Sequence, residues 1–222
     1  MPLSIGLLLL ACGASAWLAY GIDPRVAEHF GGLELICLTR RLQWVLVIVS
    51  IVPCLVLIFR VLVGRARVWW MTGLALVLAM LVVRFGPGTV KPVRVLDGDS
   101  MPHVSQIELP GEDEFVVGFD LGEQAYALPY RCLMRTPIVQ LTDFDRRVLI
   151  VASPLANWVS VFEVSRQSRA EDYDFVSSPG NSTLVYNRKN GQFIVAVTGK
   201  TETGEAPAGV IGVLPCHRLR LR

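Results

Sequence analysis

Apolar residues fill long uninterrupted stretches in the first part of the chain, and after about residue 85 they alternate with polar residues in short stretches. A helix needs about 20 consecutive apolar residues to cross the hydrocarbon core of a bilayer. Alternation with a period of two is typical of strands that bury one face. The pattern therefore predicts a helical membrane region at 1–85 and a mainly β domain, sandwich or barrel-like, at 86–222.

Three apolar runs predict transmembrane helices at about 1–22, 42–59 and 68–83. The first run also contains Ala14-Ser15-Ala16, which fits a signal-peptide cleavage site, but no Lys or Arg precedes it, so a retained helix is favoured. Pro53 lies within the second run, where it removes a helical hydrogen bond and predicts a kink. The third run is short, about 24 Å as a helix.

Arginine and tryptophan residues stand at the ends of these runs and predict anchors at the membrane interface. The turn between the second and third runs is rich in arginine and lacks acids, so the positive-inside rule places it in the cytoplasm. With three spans, the N-terminus is then cytoplasmic and the β domain periplasmic, in the inner membrane of a bacterium. The predicted anchors are Trp44, Trp69, Trp70, Arg60, Arg65, Arg67 and Arg84.

A short capped helix is predicted between the first two runs. Asp23 suits the N-cap, Pro24 the first helical position, and Gly31-Gly32 the stop. His29 falls on this helix, and a solvated surface histidine is the favoured interpretation.

The distribution of charged residues argues against two classes of function, nucleic-acid binding and ion or proton transport. Residues 1–85 hold seven arginines against three acids, and residues 86–222 hold fourteen Lys/Arg against sixteen Asp/Glu. Neither part has the clustered basic face of a nucleic-acid-binding protein. The apolar runs also lack ionisable residues in their interiors, and ion or proton pathways need such groups. The helices are therefore predicted to anchor the chain or to pack on other membrane helices.

Nine short strands are predicted in the second part, separated by turn residues at short intervals. Asn187 to Gly191 forms the clearest turn signal, that of a hairpin. The predicted strands are 92–96, 114–119, 124–128, 137–141, 147–151, 158–164, 182–186, 192–197 and 209–214.

Two segments of this domain resemble an uncharacterised bacterial family known as domain of unknown function 3179. The first is E-F-V-V-G-F-D-L-G-E-Q-A-Y-A-L-P-Y-R-C-L at 114–133, and the second is S-T-L-V-Y-N-R-K-N-G-Q-F-I-V-A-V-T-G at 182–199. The second is similar to the family's L-V-x-Y-D-R hairpin and the Q-x-x-G segment that follows it. The resemblance covers roughly residues 90–205.

The family's paired-cysteine segment, T-Y-C-P-L-C, is missing. The matching stretch here is V-A-S-P-L-A-N at 151–157, so Ser153 and Ala156 occupy the cysteine positions. A family His-Glu pair would fall near 135–137, where neither residue occurs. Without a thiolate there is neither a redox nucleophile nor a soft metal ligand. The resemblance therefore implies a degenerate motif whose chemistry has been lost.

Other candidate sites are weak. None of the five cysteines forms C-x-x-C, and Cys132 and Cys216 are either a disulfide of an oxidising compartment or two free thiols. Cys216 and His217 point to opposite faces of a strand. His103 follows a D-G-D-S segment that favours a turn over a metal loop. No metal, cofactor or catalytic residue is predicted.

The run R-L-R-L-R at 218–222 alternates arginine with leucine. It favours an edge strand with a basic face, since charge on an edge prevents unwanted pairing, and the alternative is a strip that docks on an acidic partner. Taken together, these features predict a non-catalytic accessory or scaffold subunit of a larger bacterial membrane complex. Its partners are the bilayer and other integral membrane proteins, and its β domain covers a periplasmic face of the complex. The alternative is a membrane-anchored thiol-redox or metal- or ligand-binding protein.

Overall fold

The chain forms two compact units, Met1–Val90 and Lys91–Arg222. A computed structural model describes residues 2–64, 70–85, 93–98, 115–153 and 156–220 of them. The predicted boundary at 85/86 lies a few residues before the division between the units.

The first unit is helical. Its helices are α1 (Pro2–Tyr20), α2 (Pro24–Phe30), α3 (Gly32–Arg41), α4 (Gln43–Leu62) and α5 (Trp70–Phe85). By length and composition α1 and α4 can cross a membrane, with mean hydropathies of 1.8 and 2.9. The apolar helix α5 is shorter, with 16 residues. Two apolar helices of bilayer length are thus confirmed.

The predicted capped helix is α2. The Asp23 side chain accepts a hydrogen bond of 2.9 Å from the backbone N–H of Arg25, and Pro24 is the first helical residue. Gly31 ends the helix with φ of 145°, a conformation that disfavours residues with a Cβ. The next helix, α3, is not among the predicted elements, because its polar and charged residues interrupt the apolar pattern.

Helix α1 packs against both α4 and α5. Ala14 and Leu18 of α1 form a small core with Leu46 of α4, and Leu81 of α5 adds to it. Gly73 allows a close approach of α5 to α1, since a Cβ there would lie 2.6 Å from Leu8 Cδ1. Small residues at helix contacts are typical of packing between membrane helices.

The second unit is mainly β, as predicted, and includes a short α-helix, α6 (Tyr130–Arg135). A five-stranded sheet has the order β1-β4-β5-β6-β11, a four-stranded sheet β10-β9-β8-β7, and a three-stranded sheet β12-β2-β3. Only β1 and β4 pair in parallel among the described strands. The strands are β1 (Arg94–Asp97), β2 (Phe115–Leu121), β3 (Gln124–Pro129), β4 (Ile138–Asp143), β5 (Arg146–Ser153), β6 (Trp158–Val164), β7 (Tyr173–Ser177), β8 (Leu184–Asn187), β9 (Gln192–Val195), β10 (Lys200–Thr201), β11 (Val210–Leu214) and β12 (Cys216–Arg220).

The five-stranded sheet is the middle layer of three. Val148 and Ile150 of β5 join the core shared with the three-stranded sheet. Leu149 and Val151 point the other way, into the core shared with the four-stranded sheet. A strand covered on both faces reads as a continuous apolar run. The prediction of one sandwich or barrel is therefore corrected to three stacked sheets.

Each of the nine predicted strands overlaps an observed one, whereas β7, β10 and α6 were not predicted. The hairpin turn is present: Gly191 has φ of 71°, and its N–H donates to the Asn187 carbonyl. Strand β12 lies at the edge of its sheet and carries Arg218 and Arg220 of the predicted run, whereas Arg222 lies outside the described residues. Arg218 stacks over the Phe115 ring, 3.9 Å from its centroid.

Candidate functional site

The outer surface of the helical unit is apolar, whereas its interior combines small and polar residues with some large apolar ones. Only 28% of the apolar window of α1 and 22% of that of α4 are buried. In α1 the buried residues include Ser4, Ala11 and Ser15, whereas Leu9 and Leu10 are exposed. The core helix of a water-soluble protein shows the reverse arrangement, with its large apolar residues inside.

Hydroxyl groups in this interior satisfy their hydrogen bonds within the unit. Ser50 of α4 donates to the Leu46 carbonyl at 2.7 Å. Ser15 of α1 donates to the Cys12 carbonyl at 3.1 Å and lies 3.3 Å from Met80 Sδ of α5. Serine side chains between apolar helices, bonded to a backbone carbonyl or to a neighbouring helix, are typical of membrane helix contacts.

Two arginines meet at one amide oxygen at one end of the unit. Gln43, the first residue of α4, is only 6% exposed. Its Oε1 accepts a hydrogen bond from Arg84 Nη2 of α5 at 3.1 Å and another from Arg40 Nη1 of α3. Next to it, Trp17 Nε1 donates to Thr39 Oγ1 at 2.9 Å. We call Arg40, Gln43 and Arg84 the Gln43 cluster.

The predicted interface anchors have different outcomes. Trp44 is 71% exposed, as an anchor requires, whereas Trp70 is only 5% exposed and packs inside the unit. The burial of Trp70 does not fit an outward anchor. Arg84 is half-buried and donates to Gln43, and its role as an anchor stays a prediction. Arg60 is half-buried. Trp69, Arg65 and Arg67 lie outside the described residues.

Ser153, at the degenerate motif, connects two sheets. It is 1% exposed, and its Oγ accepts a hydrogen bond of 2.7 Å from the Thr183 backbone N–H. Thr183 Oγ1 donates in return to the Ala152 carbonyl at 2.7 Å. Ala156 follows in the turn, where its N–H donates to the Ser153 carbonyl. The geometry gives Ser153 a structural role between the middle and four-stranded sheets.

The cysteines of the β unit do not form a disulfide in the structure. Cys132 on α6 and Cys216 on β12 are both free thiols. Burial raises the pKa of the Cys216 thiol, which donates to the Val159 carbonyl at 3.3 Å. A raised pKa lowers the thiolate fraction at neutral pH and with it the reactivity. On the neighbouring strand β2, Cys216 is paired with Phe119 and His217 with Gly118.

Within the described part of the chain, no group of three or more His, Cys, Asp and Glu side chains is placed to hold a metal ion. Asp99, Ser100 and His103 of the predicted turn lie outside that part.

The β unit has an open cleft of about 560 Å³ that is lined by charged residues. Most of its cations already have partners. Arg147 donates to the Ser168 carbonyl at 2.6 Å, and Arg166 and Arg169 form ion pairs with Asp145 and Glu171. The cleft is therefore an open, charged surface whose ions are mostly paired with each other. Its lining residues are Arg147, Arg166, Gln167, Arg169, Glu171, Asp172 and Lys189.

No protein-family model matches the chain, and neither a curated protein nor a solved structure matches it. The resemblance to domain of unknown function 3179 therefore stays a prediction from the quoted segments.

Proposed function

We propose that this protein is a membrane-anchored, non-catalytic accessory subunit of a larger bacterial membrane complex. Helices α1, α4 and α5 cross the inner membrane, and the β unit covers a periplasmic face of the complex. The observation that carries the proposal is the surface of α1 and α4, most of whose large apolar side chains are exposed while their serines are buried.

Water is a poor solvent for that surface. Exposed large apolar residues occur along the whole of α4, including Ile48, Leu55 and Phe59. Monomeric soluble proteins rarely expose apolar patches larger than a few hundred Å², and larger patches mark membrane or protein contacts. Lipid and neighbouring membrane helices solvate the same side chains at no such cost, which supports insertion in a bilayer.

The orientation follows from the arginines. The last turn of α4 carries Arg60, and the segment between α4 and α5 contains Arg65 and Arg67 and no acid. Short loops rich in arginine stay in the cytoplasm. Three crossings then place residues 1 and 222 on opposite sides, with the β unit in the periplasm.

An accessory role, rather than catalysis, is supported by the β unit. The Ser153 hydroxyl is committed to Thr183, and burial suppresses the thiolate of Cys216. The edge strand β11 (V-I-G-V-L) has no charged residue and exposes Ile211 and Val213. Edge strands of isolated domains are usually protected by charge or proline, so an apolar edge suits a surface covered by a partner.

Membrane insertion is tested by extracting bacterial membranes that contain the full chain with alkaline carbonate. We expect the protein to stay with the membranes and to become soluble only in detergent. Orientation is tested with Lys189→Cys, an exposed position in the hairpin turn, made in a chain in which all five native cysteines are replaced by Ala or Ser. A membrane-impermeant maleimide should label it in spheroplasts, whereas Val63→Cys in the same background should need permeabilisation.

The accessory role is tested by purification in mild detergent after crosslinking in cells. We expect the chain to migrate in a complex well above its own mass together with other integral membrane proteins. A lone monomer in native membranes, or release by carbonate, would contradict the proposal.

A further inference from the structure

Three sulfur-containing side chains come from the three apolar helices of the helical unit: Cys12 of α1, Cys54 of α4 and Met80 of α5. Both cysteines are free thiols and are half-buried. The proposed function uses none of these side chains. Because α1 contacts both of the other helices, the level of each side chain along its helix decides whether the sulfur atoms meet.

Helices α1 and α4 run antiparallel and bring the two cysteines to similar levels. The end of α1 packs on the beginning of α4, where Leu18 and Leu46 share a small core. Each helix runs away from that contact at about 1.5 Å per residue, which places Cys12 about 9 Å and Cys54 about 12 Å from it along the helix axes. The two thiols are near enough to interact electrostatically.

Two buried serines show which way the cysteines face. Ser50 of α4 is fully buried, and Cys54 follows it by one turn, on the same face of the helix. Ser15 of α1 is also fully buried and follows Cys12 by one turn. Its Oγ donates to the Cys12 carbonyl at 3.1 Å and lies 3.3 Å from Met80 Sδ. Both thiols therefore lie on inward faces, and the thioether of Met80 lies one helical turn from Cys12.

The chemistry of these donors selects one kind of metal ion. Thiolate and thioether sulfur are soft ligands, and they favour Cu(I). Structural zinc sites instead use four ligands from cysteine, histidine and carboxylates, which this group does not supply. Methionine binds soft ions only, so sets of His, Cys, Asp and Glu do not reveal such a site.

The apolar surroundings limit the charge that the site can carry, because an ion between apolar helices is costly unless it is neutralised. We propose that Cys12, Cys54 and Met80 bind one Cu(I) ion between α1, α4 and α5. One S–H bond breaks, a Cu–S bond forms, and the proton leaves to solvent, so the thiolate balances the charge of the ion. The other thiol and the thioether are neutral donors, and copper stays Cu(I) throughout.

The test uses the full chain in mild detergent, with Cys132 and Cys216 replaced by Ala to remove the thiols of the β unit. Cu(I) is added without oxygen, and its affinity is measured by competition with a chromogenic Cu(I) chelator. We expect one copper ion to bind per chain. Cys54→Ser should weaken binding about 100-fold or more, since even groups behind the ligands change metal affinity about 10–100-fold. Cys37→Ser removes a buried thiol of α3 instead and should leave binding unchanged.

Selenomethionine labelling decides the question even if Cys54→Ser does not fold. X-ray absorption at the copper edge distinguishes a selenium neighbour from sulfur. The labelled chain should therefore show selenium next to copper. The same chain with Met80→Leu, which keeps an apolar side chain of similar size, should show sulfur only, and thermal unfolding in detergent checks that this variant is folded.

Two outcomes would overturn the inference. One is equal copper affinity of the starting chain, Cys54→Ser and Cys37→Ser, which would place the ion elsewhere. The other is a copper spectrum without selenium in the labelled chain. The inference goes beyond the proposed function and does not depend on it, because all three ligands belong to the helical unit. Carbonate extraction tests membrane insertion separately, so either one can fail while the other stands.

Discussion

Replacing Ser153 by alanine tests whether the residue at the degenerate motif is structural. The change removes the oxygen that accepts the Thr183 N–H at 2.7 Å and adds no new atom. Both residues are almost fully buried, so water does not replace the lost acceptor. A buried donor left unsatisfied costs about 1–3 kcal/mol. We expect Ser153→Ala to destabilise the β unit by that amount.

Hydrogen exchange locates the effect. In the full chain in detergent, the peptide that contains Thr183 should exchange about 5- to 150-fold faster, which corresponds to the same free energy. Thr198→Ala is the matched control. Thr198 Oγ1 also accepts a backbone N–H, that of Lys200, but it is exposed, so water substitutes and the change stays within about 0.5 kcal/mol.

A double-mutant cycle with Thr183→Ala refines the test, because Thr183 donates back to Ala152 across the same junction. Contacting residues show non-additive effects, so the double variant should lose less than the sum of the single losses. Unchanged exchange at Thr183 in Ser153→Ala would refute the structural role. A thiol at this position, Ser153→Cys, should recover only part of the stability, because sulfur is a weak acceptor.

Three further predictions concern other parts of the chain. Gly73→Leu should disrupt the contact of α5 with Leu8 and cost about 1–3 kcal/mol by overpacking, measured as a lower melting temperature in detergent. Gly13→Leu is the control: a Cβ at Gly13 would meet nothing within 4 Å, so this variant should keep its melting temperature. Burial raises the pKa of the Tyr130 hydroxyl, although Arg218 opposes the shift, so the folded state holds this proton more tightly than the unfolded chain. Stability should thus be constant below about pH 10 and fall above it, and Tyr130→Phe should fall less in thermal melts from pH 8 to 11. Cys216 should react with maleimide at pH 7 more slowly than a free cysteine peptide and equally fast in urea, since burial raises its pKa; faster reaction in the folded protein would favour a thiol-redox function.

Local features were predictable because their causes are local. The cap of α2 depends on Asp23, Pro24 and Gly31, and the turn before β9 depends on Asn187 and Gly191, all within a few residues. Helices of bilayer length follow from composition alone. By contrast, the alternation of apolar and polar residues is weak in β7. This strand begins at Tyr173 directly after two acidic residues, and its outward side chains are only partly polar.

Long-range features were not predictable in the same way. The pairing of β1 with β4, the stacking of three sheets and the bond from Ser153 to Thr183 join segments far apart in sequence. The Gln43 cluster also joins two distant helices, since Gln43 and Arg84 are separated by the whole of α4 and most of α5. Arginine at the end of an apolar run predicts a snorkelling side chain equally well, and only the fold shows that Arg84 turns inward.

The three-stranded sheet sets a time scale for folding. Its strand β12 pairs along the full length of β2, from Cys216 opposite Phe119 to Arg220 opposite Phe115. The ribosome adds about 5–20 residues per second, so the hairpin of β2 and β3 waits roughly 5–20 s for its third strand. Contacts across such a long separation also form slowly after synthesis. During that interval the unpaired edge of β2 is exposed, and an exposed strand edge is a site for aggregation.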